Sequence, residues 1–126
     1  MTDETANLAA GFLGLCQRAG QVSLGQEACV SAIRKREAAL VLLDSECSGN
    51  TRKRFSDACG TYATPLYFMP AGRIAKAVGK AGRMVAAIGP GGMAQKLLVL
   101  LSQEKPVSDC RAENYGKRKQ AEERSF

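Results

Sequence analysis

The chain has 126 residues, of which 45% are hydrophobic, so it suits one compact domain with a buried core and is too short for two. Lysine and arginine number 18 against 12 aspartate and glutamate residues, which gives a formal net charge of +6. The whole excess lies in residues 23–101, which hold 11 basic and 5 acidic side chains. A basic folded region indicates a polyanionic partner, with nucleic acid as the first candidate. A basic surface that has no partner is the alternative.

The N-terminal residues and the cysteines bear on where the protein is located. Acidic residues at positions 3 and 4, with no basic segment followed by an apolar one, argue against a signal peptide. No apolar run approaches the roughly 18 residues that a membrane span needs. Five cysteines with no CxxC pair, in a chain without histidine, form no zinc motif and are typical of reduced thiols in a core. We therefore expect a cytoplasmic protein that holds no metal or other cofactor.

The first part of the chain predicts a helix, a short strand and a second helix. Residues 5–19 form the first helix, and Gly20 ends it. The predicted buried face of this helix consists of Leu8, Phe12, Leu15, Cys16 and Ala19. Residues 22–24 form a strand that leads into a turn at Gly25. The helix that follows carries Cys29, Ala32 and Ile33 on its apolar side, and Glu27, Ser31 and Arg34 on its polar side.

The rest of the chain alternates strands and helices. Residues 39–43 are continuously apolar, which is typical of a central strand that is covered on both faces. A helix begins near Ser48 to Asn50, where either the serine or the asparagine can cap it. Its inner side consists of Phe55, Ala58, Cys59 and Tyr62. The later elements are, in order, a strand at 65–68, a helix at 71–78, a basic glycine loop at 79–83, a strand at 84–88 and a last helix after the turn at 89–92.

This alternation predicts a sheet that is covered by helices on both sides, and it also fits a wholly parallel sheet. Beyond residue 102 the composition becomes charged and poor in aliphatic residues. We therefore predict one α/β domain at residues 1–102 and a charged, mobile tail at residues 103–126.

Three features suggest other functions. The glycine turn at 89–92 lies between a strand and a helix, where it could cradle a phosphate, but it lacks the GxxxxGK[ST] pattern. Cys47 near a helix N-terminus is a conceivable nucleophile, yet the chain has no histidine to serve as its base. The basic tail residues 117–119 would suit a protein-binding accessory module of the ribosome or the transcription machinery. None of these patterns predicts an enzyme.

Two stretches, LGLCQRAGQVSLGQEACVSAIRKREAALVLLDSECSGNTRKR and GRIAKAVGKAGRMVAAI, carry a family resemblance. Over residues 8–101 the chain resembles the L7Ae/L30e superfamily of ribosomal proteins, and in particular its bacterial members. The resemblance implies a three-layer α/β/α sandwich around a mixed four-stranded sheet. It also implies that the protein binds kink-turn RNA and catalyses no reaction.

The resemblance further implies where RNA is bound. The family's glycine before its recognition helix matches Gly25, and the polar residues after it match Gln26 and Glu27, which suit the exposed edges of sheared G·A pairs. Ser31 stands where many relatives carry lysine, which removes one contact with RNA. The loop that covers an unstacked nucleotide matches residues 82–85. The predicted RNA-binding residues are Leu24, Gly25, Gln26, Glu27, Ser31, Arg34, Arg52, Lys53, Lys80, Gly82, Arg83, Met84 and Val85. The simpler interpretation of the basic ones is solvated surface charge, and that of Met84 is core packing.

The sequence therefore predicts a monomeric, non-enzymatic protein that recognises a kink-turn or a similar internal loop of RNA. It would act at the ribosome or elsewhere in translation, without a cofactor and away from membranes. The alternatives are the protein-binding accessory module and, less favoured, a small phosphate- or nucleotide-binding protein that uses the turn at 89–92. Deleting residues 103–126 distinguishes RNA binding from the first alternative. If the folded domain binds the RNA, the deletion should leave kink-turn binding nearly unchanged.

Overall fold

The computed structural model describes residues 1–104, so the predicted tail falls outside the described residues from residue 105 onward. Within them, strands and helices alternate after a first helix, as the sequence predicts. The helices are α1 (Asp3–Arg18), α2 (Gln26–Arg34), α3 (Gly49–Tyr62), α4 (Arg73–Val78) and α5 (Gly92–Leu100), followed by a 3-10 turn at Leu101–Gln103. The strands are β1 (Val22–Leu24), β2 (Leu40–Asp44), β3 (Leu66–Met69) and β4 (Val85–Ile88). The predicted helix at 71–78 starts two residues late, because Gly72, with φ of 78°, precedes its first turn.

The four strands form one mixed sheet in the order β1-β4-β2-β3. β2 and β3 are parallel, whereas β4 runs antiparallel to both β1 and β2. The predicted mixed sheet is therefore confirmed, and the wholly parallel sheet that the alternation also allowed is wrong. Four residues of the apolar run, 40–43, lie in β2, which is an inner strand with every residue buried.

Helices cover both faces of the sheet and divide the core in two. Leu40 and Leu42 of β2 point to one cluster, which α1, α4 and α5 complete. Val41 and Leu43, which alternate with them, point to a second cluster under α2 and α3. The two-residue period of a strand sends successive side chains to opposite faces, so a strand in this position has no polar side. The result is the predicted three-layer α/β/α sandwich.

The prediction of the buried face of α1 is wrong. Leu8 and Leu15 are 50% and 48% exposed, and Ala19 is also exposed. Of the predicted face, only Cys16 is fully buried and Phe12 partly so. The residues that face the core are Ala6, Ala9, Leu13 and Cys16. Close packing of α1 on α4 explains which face of α1 is buried. A Cβ atom at Gly14 would lie 3.3 Å from the carbonyl oxygen of Ala77, so a small residue at this position lets the two helices pack tightly.

One end of the sheet collects four connections. Leu24 pairs with Ala86, Leu43 with Val85, and Asp44 with Met69, so the C-terminal ends of β1, β2 and β3 lie beside the N-terminal end of β4. The turns into α2, α3 and α4 and the loop at 79–84 therefore meet at this end.

Buried Asp44 ties two of these connections together. One of its carboxylate oxygens accepts a hydrogen bond from the backbone N–H of Glu46 (2.7 Å), and the other accepts one from Gly72 (2.9 Å). The carboxylate thus joins the β2–α3 connection to the β3–α4 connection.

Candidate nucleic-acid interface

The turn between β1 and α2 exposes backbone N–H groups at the end of the sheet where the loop at 79–84 also lies. Gly25 has φ of 89° and is the N-cap of α2, a conformation that strains any residue with a Cβ atom. A Cβ atom built there would lie 3.4 Å from Nη1 of Arg83, so the guanidinium of Arg83 lies over the turn. The first N–H groups of α2 and this cation together make the turn favourable for negative charge. Leu24, the last residue of β1, is only partly buried beside it.

Gln26 and Glu27 at the start of α2 are held by two residues of α3. The side-chain NH₂ of Gln26 donates to the hydroxyl of Thr51 (3.1 Å). Arg54 donates from Nη1 to the amide oxygen of Gln26 (3.1 Å) and from Nη2 to a carboxylate oxygen of Glu27 (3.0 Å). The Glu27 side chain is nevertheless 88% exposed, so it remains accessible to a ligand. We call these four residues, Gln26, Glu27, Thr51 and Arg54, the α2–α3 polar bridge.

The N-terminus of α3 is built by its own cap. Ser48, one of the two residues that the sequence allows as the cap, accepts a hydrogen bond from the N–H of Thr51 (3.1 Å) and donates to the Thr51 hydroxyl (2.9 Å). Thr51 is buried by this arrangement, which fixes the acceptor that Gln26 uses. Arg52 lies 5.2 Å from the ring centre of Phe68, and Lys53 pairs with Asp57 (3.6 Å). Both cations remain exposed at the surface.

The loop at 79–84 forms the opposite side of the turn. Gly79 and Gly82 adopt positive φ values of 72° and 80°, which shape the loop before β4. Lys80 is exposed, and Met84 is 39% exposed, so the core-packing interpretation of Met84 is wrong. Val85 is buried in the second cluster, and its side chain is therefore not placed to contact a ligand.

Two of the predicted residues lie farther along α2. Ser31 is partly buried one turn beyond Glu27 on α2. Arg34 ends α2, about 12 Å along the helix axis from Gln26. Arg34 lines the groove between α2 and α3, a cavity of about 370 Å³ to which Arg54 also contributes. Arg34 thus lies at the periphery of the candidate surface.

Arg54 and Thr51 were missing from the predicted set. A signal for Arg54 is present in the sequence: three consecutive cations in the first turns of α3 are unfavourable beside the positive end of the helix dipole. Such a cation needs a nearby acceptor, and Glu27 supplies it. The sequence separation of 27 residues hides this pairing until α2 and α3 pack together.

The rival sites are less well supported by the geometry. Burial and the negative charge of Asp44 raise the pKa of the Cys47 thiol, so the expected activation by the helix N-terminus is not found. The turn at 89–92 follows the C-terminal end of β4 and so lies at the other end of the sheet, with the Gln21 side chain against Gly91. Residues 1–104 contain no cluster of His, Cys, Asp or Glu suited to a metal ion. None of their helices is long and apolar enough to cross a membrane.

Comparison with known proteins is consistent with this architecture. A Bacillus subtilis (strain 168) protein named RNA-binding protein YlxQ is 37% identical over 91 residues, which are 71% of this chain and 91% of that protein. The Enterococcus faecium protein of the same name is 29% identical over 102 residues, which are 80% of this chain and 98% of that protein.

Solved structures show the same fold. A Bacillus halodurans protein of unknown function superposes with a TM-score of 0.71 at 31% identity, over 75% of this chain and 97% of that one. A Giardia lamblia 15.5kD RNA-binding protein superposes with a TM-score of 0.65 over 79% of this chain and 92% of that one; at 13% identity it shares the fold alone. The sequence model of one family covers residues 10–98, which include all of the sheet and most of the helices. The chain therefore belongs to the ribosomal protein L7Ae/L30e/S12e/Gadd45 family.

Proposed function

We propose that this protein binds structured RNA at the sheet end where the β1–α2 turn, the start of α3 and the loop at 79–84 meet. The observation that carries the proposal is the Arg83 guanidinium over Gly25, directly before Gln26 and Glu27, with exposed Met84 next to Arg83 in the chain. Base-edge donors and acceptors, a phosphate-binding cation and an apolar contact for an unstacked base are thus combined on one surface. The relatives named as RNA-binding proteins support the same function.

The RNA that suits this surface best is a kink-turn or a similar internal loop. The Glu27 carboxylate can accept from base amino groups, and the Gln26 amide can both donate and accept. Groups of this kind read base edges, which a regular RNA duplex displays only in its shallow groove and an internal loop exposes more fully. The cations Lys80 and Arg83 of the loop at 79–84 and Arg52 of α3 lie at the same end of the sheet and can bind the flanking phosphates.

Nothing in this proposal requires catalysis or a cofactor. The protein would act as a monomeric, cytoplasmic RNA-binding protein, with the ribosome or another component of translation as its wider setting. Ser31 in place of the family's lysine would lower the number of phosphate contacts by one, and so lower the salt dependence of binding by about one unit of slope.

A titration of fluorescently labelled RNA tests the proposal. A kink-turn RNA and a perfect duplex of equal length are compared at moderate salt, because non-specific binding falls steeply with salt concentration. We expect the kink-turn to bind at least about tenfold more tightly than the duplex. Equal affinities would overturn the proposed specificity and leave only attraction of RNA to a basic surface.

A further inference from the structure

Arg54 makes the contacts that join α2 and α3 at the candidate surface. Its two terminal nitrogens donate to two different acceptors, Gln26 Oε1 at 3.1 Å and Glu27 Oε2 at 3.0 Å. The Arg54 side chain is 38% exposed, against 88% for Glu27.

These contacts determine which way the Gln26 amide points. A guanidinium has donors and no acceptor, so the amide oxygen must face Arg54. The NH₂ group then faces the Thr51 hydroxyl, whose own position is fixed by Ser48. One amide hydrogen of Gln26 and the Oε1 atom of Glu27 have no hydrogen-bond partner among residues 1–104 and remain available to a ligand. The α2–α3 polar bridge therefore presents a donor and an acceptor with a defined arrangement.

The energy of the ion pair supports a role in orientation and not in folding. Glu27 is 88% exposed, and pairs with a partner in solvent contribute little to stability because water screens them. A long exposed side chain such as glutamate otherwise occupies several rotamers, which must be given up when it binds. Fixing Gln26 and Glu27 before RNA arrives removes part of that loss.

We propose that Arg54 is a positioning residue that determines specificity, because it orients Gln26 and Glu27 for the base edges of the RNA. This inference rests on the proposed function. The competing role for an exposed arginine in such a place is a direct phosphate contact, which depends on charge alone and not on the two acceptors.

Two substitutions and one background separate these roles. Arg54→Met removes the charge and both hydrogen bonds, whereas Arg54→Lys keeps the charge and loses the paired geometry of the guanidinium. Each is made in the wild type and in a Gln26→Ala/Glu27→Ala background, which has no acceptors to orient. Lys96→Met is the matched control for the loss of one charge, because Lys96 is an exposed residue of α5, which covers the other face of the sheet. Kink-turn and duplex RNA are titrated against every variant, and chemical denaturation verifies that each one is folded.

We expect both substitutions to weaken kink-turn binding about tenfold and duplex binding by much less. In the background without acceptors, neither substitution should change kink-turn binding further, because the effect acts through Gln26 and Glu27. The Lys96→Met control should bind both RNAs as the wild type does.

Other outcomes overturn the inference. If Arg54→Lys binds like the wild type and Arg54→Met loses the same affinity in both backgrounds, Arg54 contacts phosphate and does not position its neighbours. If both Arg54 variants bind kink-turn RNA with the affinity of the wild type, the ion pair between Arg54 and Glu27 has no role in RNA binding. If the wild type itself fails to distinguish kink-turn from duplex, the proposed function fails first and the role of Arg54 falls with it.

Discussion

The two helical layers that cover the sheet are built differently. The layer of α1, α4 and α5 packs through aliphatic side chains and close helix contacts, and it leaves Leu8, Leu15 and Val99 exposed on its outer side. The layer of α2 and α3 has a smaller core with Cys29 and Cys59 beneath it, and the side-chain hydrogen bonds between its two helices hold Gln26 and Glu27 of the candidate surface.

The difference shows how one fold divides support from recognition. Polar contacts between α2 and α3 occur at their N-terminal ends, where both helices begin at the sheet end that carries the candidate surface. A bonded network there holds functional groups in place at little gain in stability. In the opposite layer, Arg73 at the start of α4 donates to Asn7 of α1 (2.6 Å) and lies 3.8 Å from the Asp3 carboxylate, but none of these residues belongs to the candidate surface. A glycine at position 14 allows close packing of α1 on α4. Substitutions in the two layers should therefore affect different properties.

The largest expected effect is on stability, in the α1 layer. Leu13→Ala should lower the free energy of unfolding by about 2–5 kcal/mol, because Leu13 is fully buried and its removal leaves a cavity. Leu15→Ala, on the exposed side of the same helix, should cost less than about 1 kcal/mol. Urea denaturation measures both values. Equal losses of stability would mean that the buried face of α1 is assigned incorrectly. The folded fraction of either variant should bind RNA with unchanged affinity.

The converse effect is expected at the start of α2. Glu27→Ala should weaken kink-turn binding by about 1–3 kcal/mol, the range for a lost base-edge contact, and change the free energy of unfolding by less than about 0.5 kcal/mol. Glu37→Ala removes another exposed glutamate, which follows the other end of α2, and serves as the control. Fluorescence titration and denaturation are done on the same samples. Loss of stability without loss of binding would contradict the division between the layers.

The thiols under α2 and α3 should make stability fall at alkaline pH. Burial raises the pKa of Cys29 to about 11 and that of Cys59 to about 12, against an ordinary value of 9.0. Above pH 9 the unfolded chain loses these protons while the folded chain retains them, so rising pH favours unfolding. The contribution is complete below pH 9 and is lost between pH 9 and about 11–12, with about 1 kcal/mol per thiol gone at pH 10.

Denaturation of the wild type and of Cys59→Val between pH 8 and pH 10 measures this effect. The substitution should reduce the fall in stability across that range, because it removes the thiol whose pKa is raised most. An identical fall in both proteins would show that other groups, such as lysine and tyrosine, cause the dependence.

The smallest expected effect is on stability, at the C-terminal ends of α1 and α3, one helix from each layer. Gly20 follows α1 with φ of 73°, and Ala63 follows α3 with φ of 56°, so a glycine and an alanine occupy similar left-handed positions. Ala63→Gly should stabilise the protein by about 0.5–1 kcal/mol, and Gly20→Ala should destabilise it by about as much. No atom lies within 4 Å of a Cβ atom built at Gly20, so backbone strain alone decides that result. Thermal denaturation measures both variants. If the two substitutions shifted the melting temperature in the same direction, this prediction would be contradicted.

Much of the fold could be predicted because local patterns specify it. The run of apolar residues that became β2, the cap at Ser48 and the glycine after α1 each determine structure through neighbours in the chain. The mixed sheet was different: alternating elements do not fix strand direction, and only the family resemblance indicated it. The face of α1 was mispredicted because Leu13 and three small residues face the core, whereas Leu8 and Leu15 lie on the exposed side of the helix.

The candidate surface divides in the same way. Gly25, Gln26 and Glu27 are adjacent in the chain, so their amino-acid types predict a turn followed by polar groups at a helix start. Tertiary structure decided which residues hold them, because Thr51 and Arg54 lie 25 and 27 residues from their partners and meet them only when α2 packs on α3. Tertiary structure also decided that Met84 is exposed and Val85 is buried. Neighbouring residues at the start of a strand point to opposite faces, and the helices that cover the sheet determine which face is buried. The sequence by itself thus determined the chemistry available at the surface, and packing over long sequence separations determined its orientation.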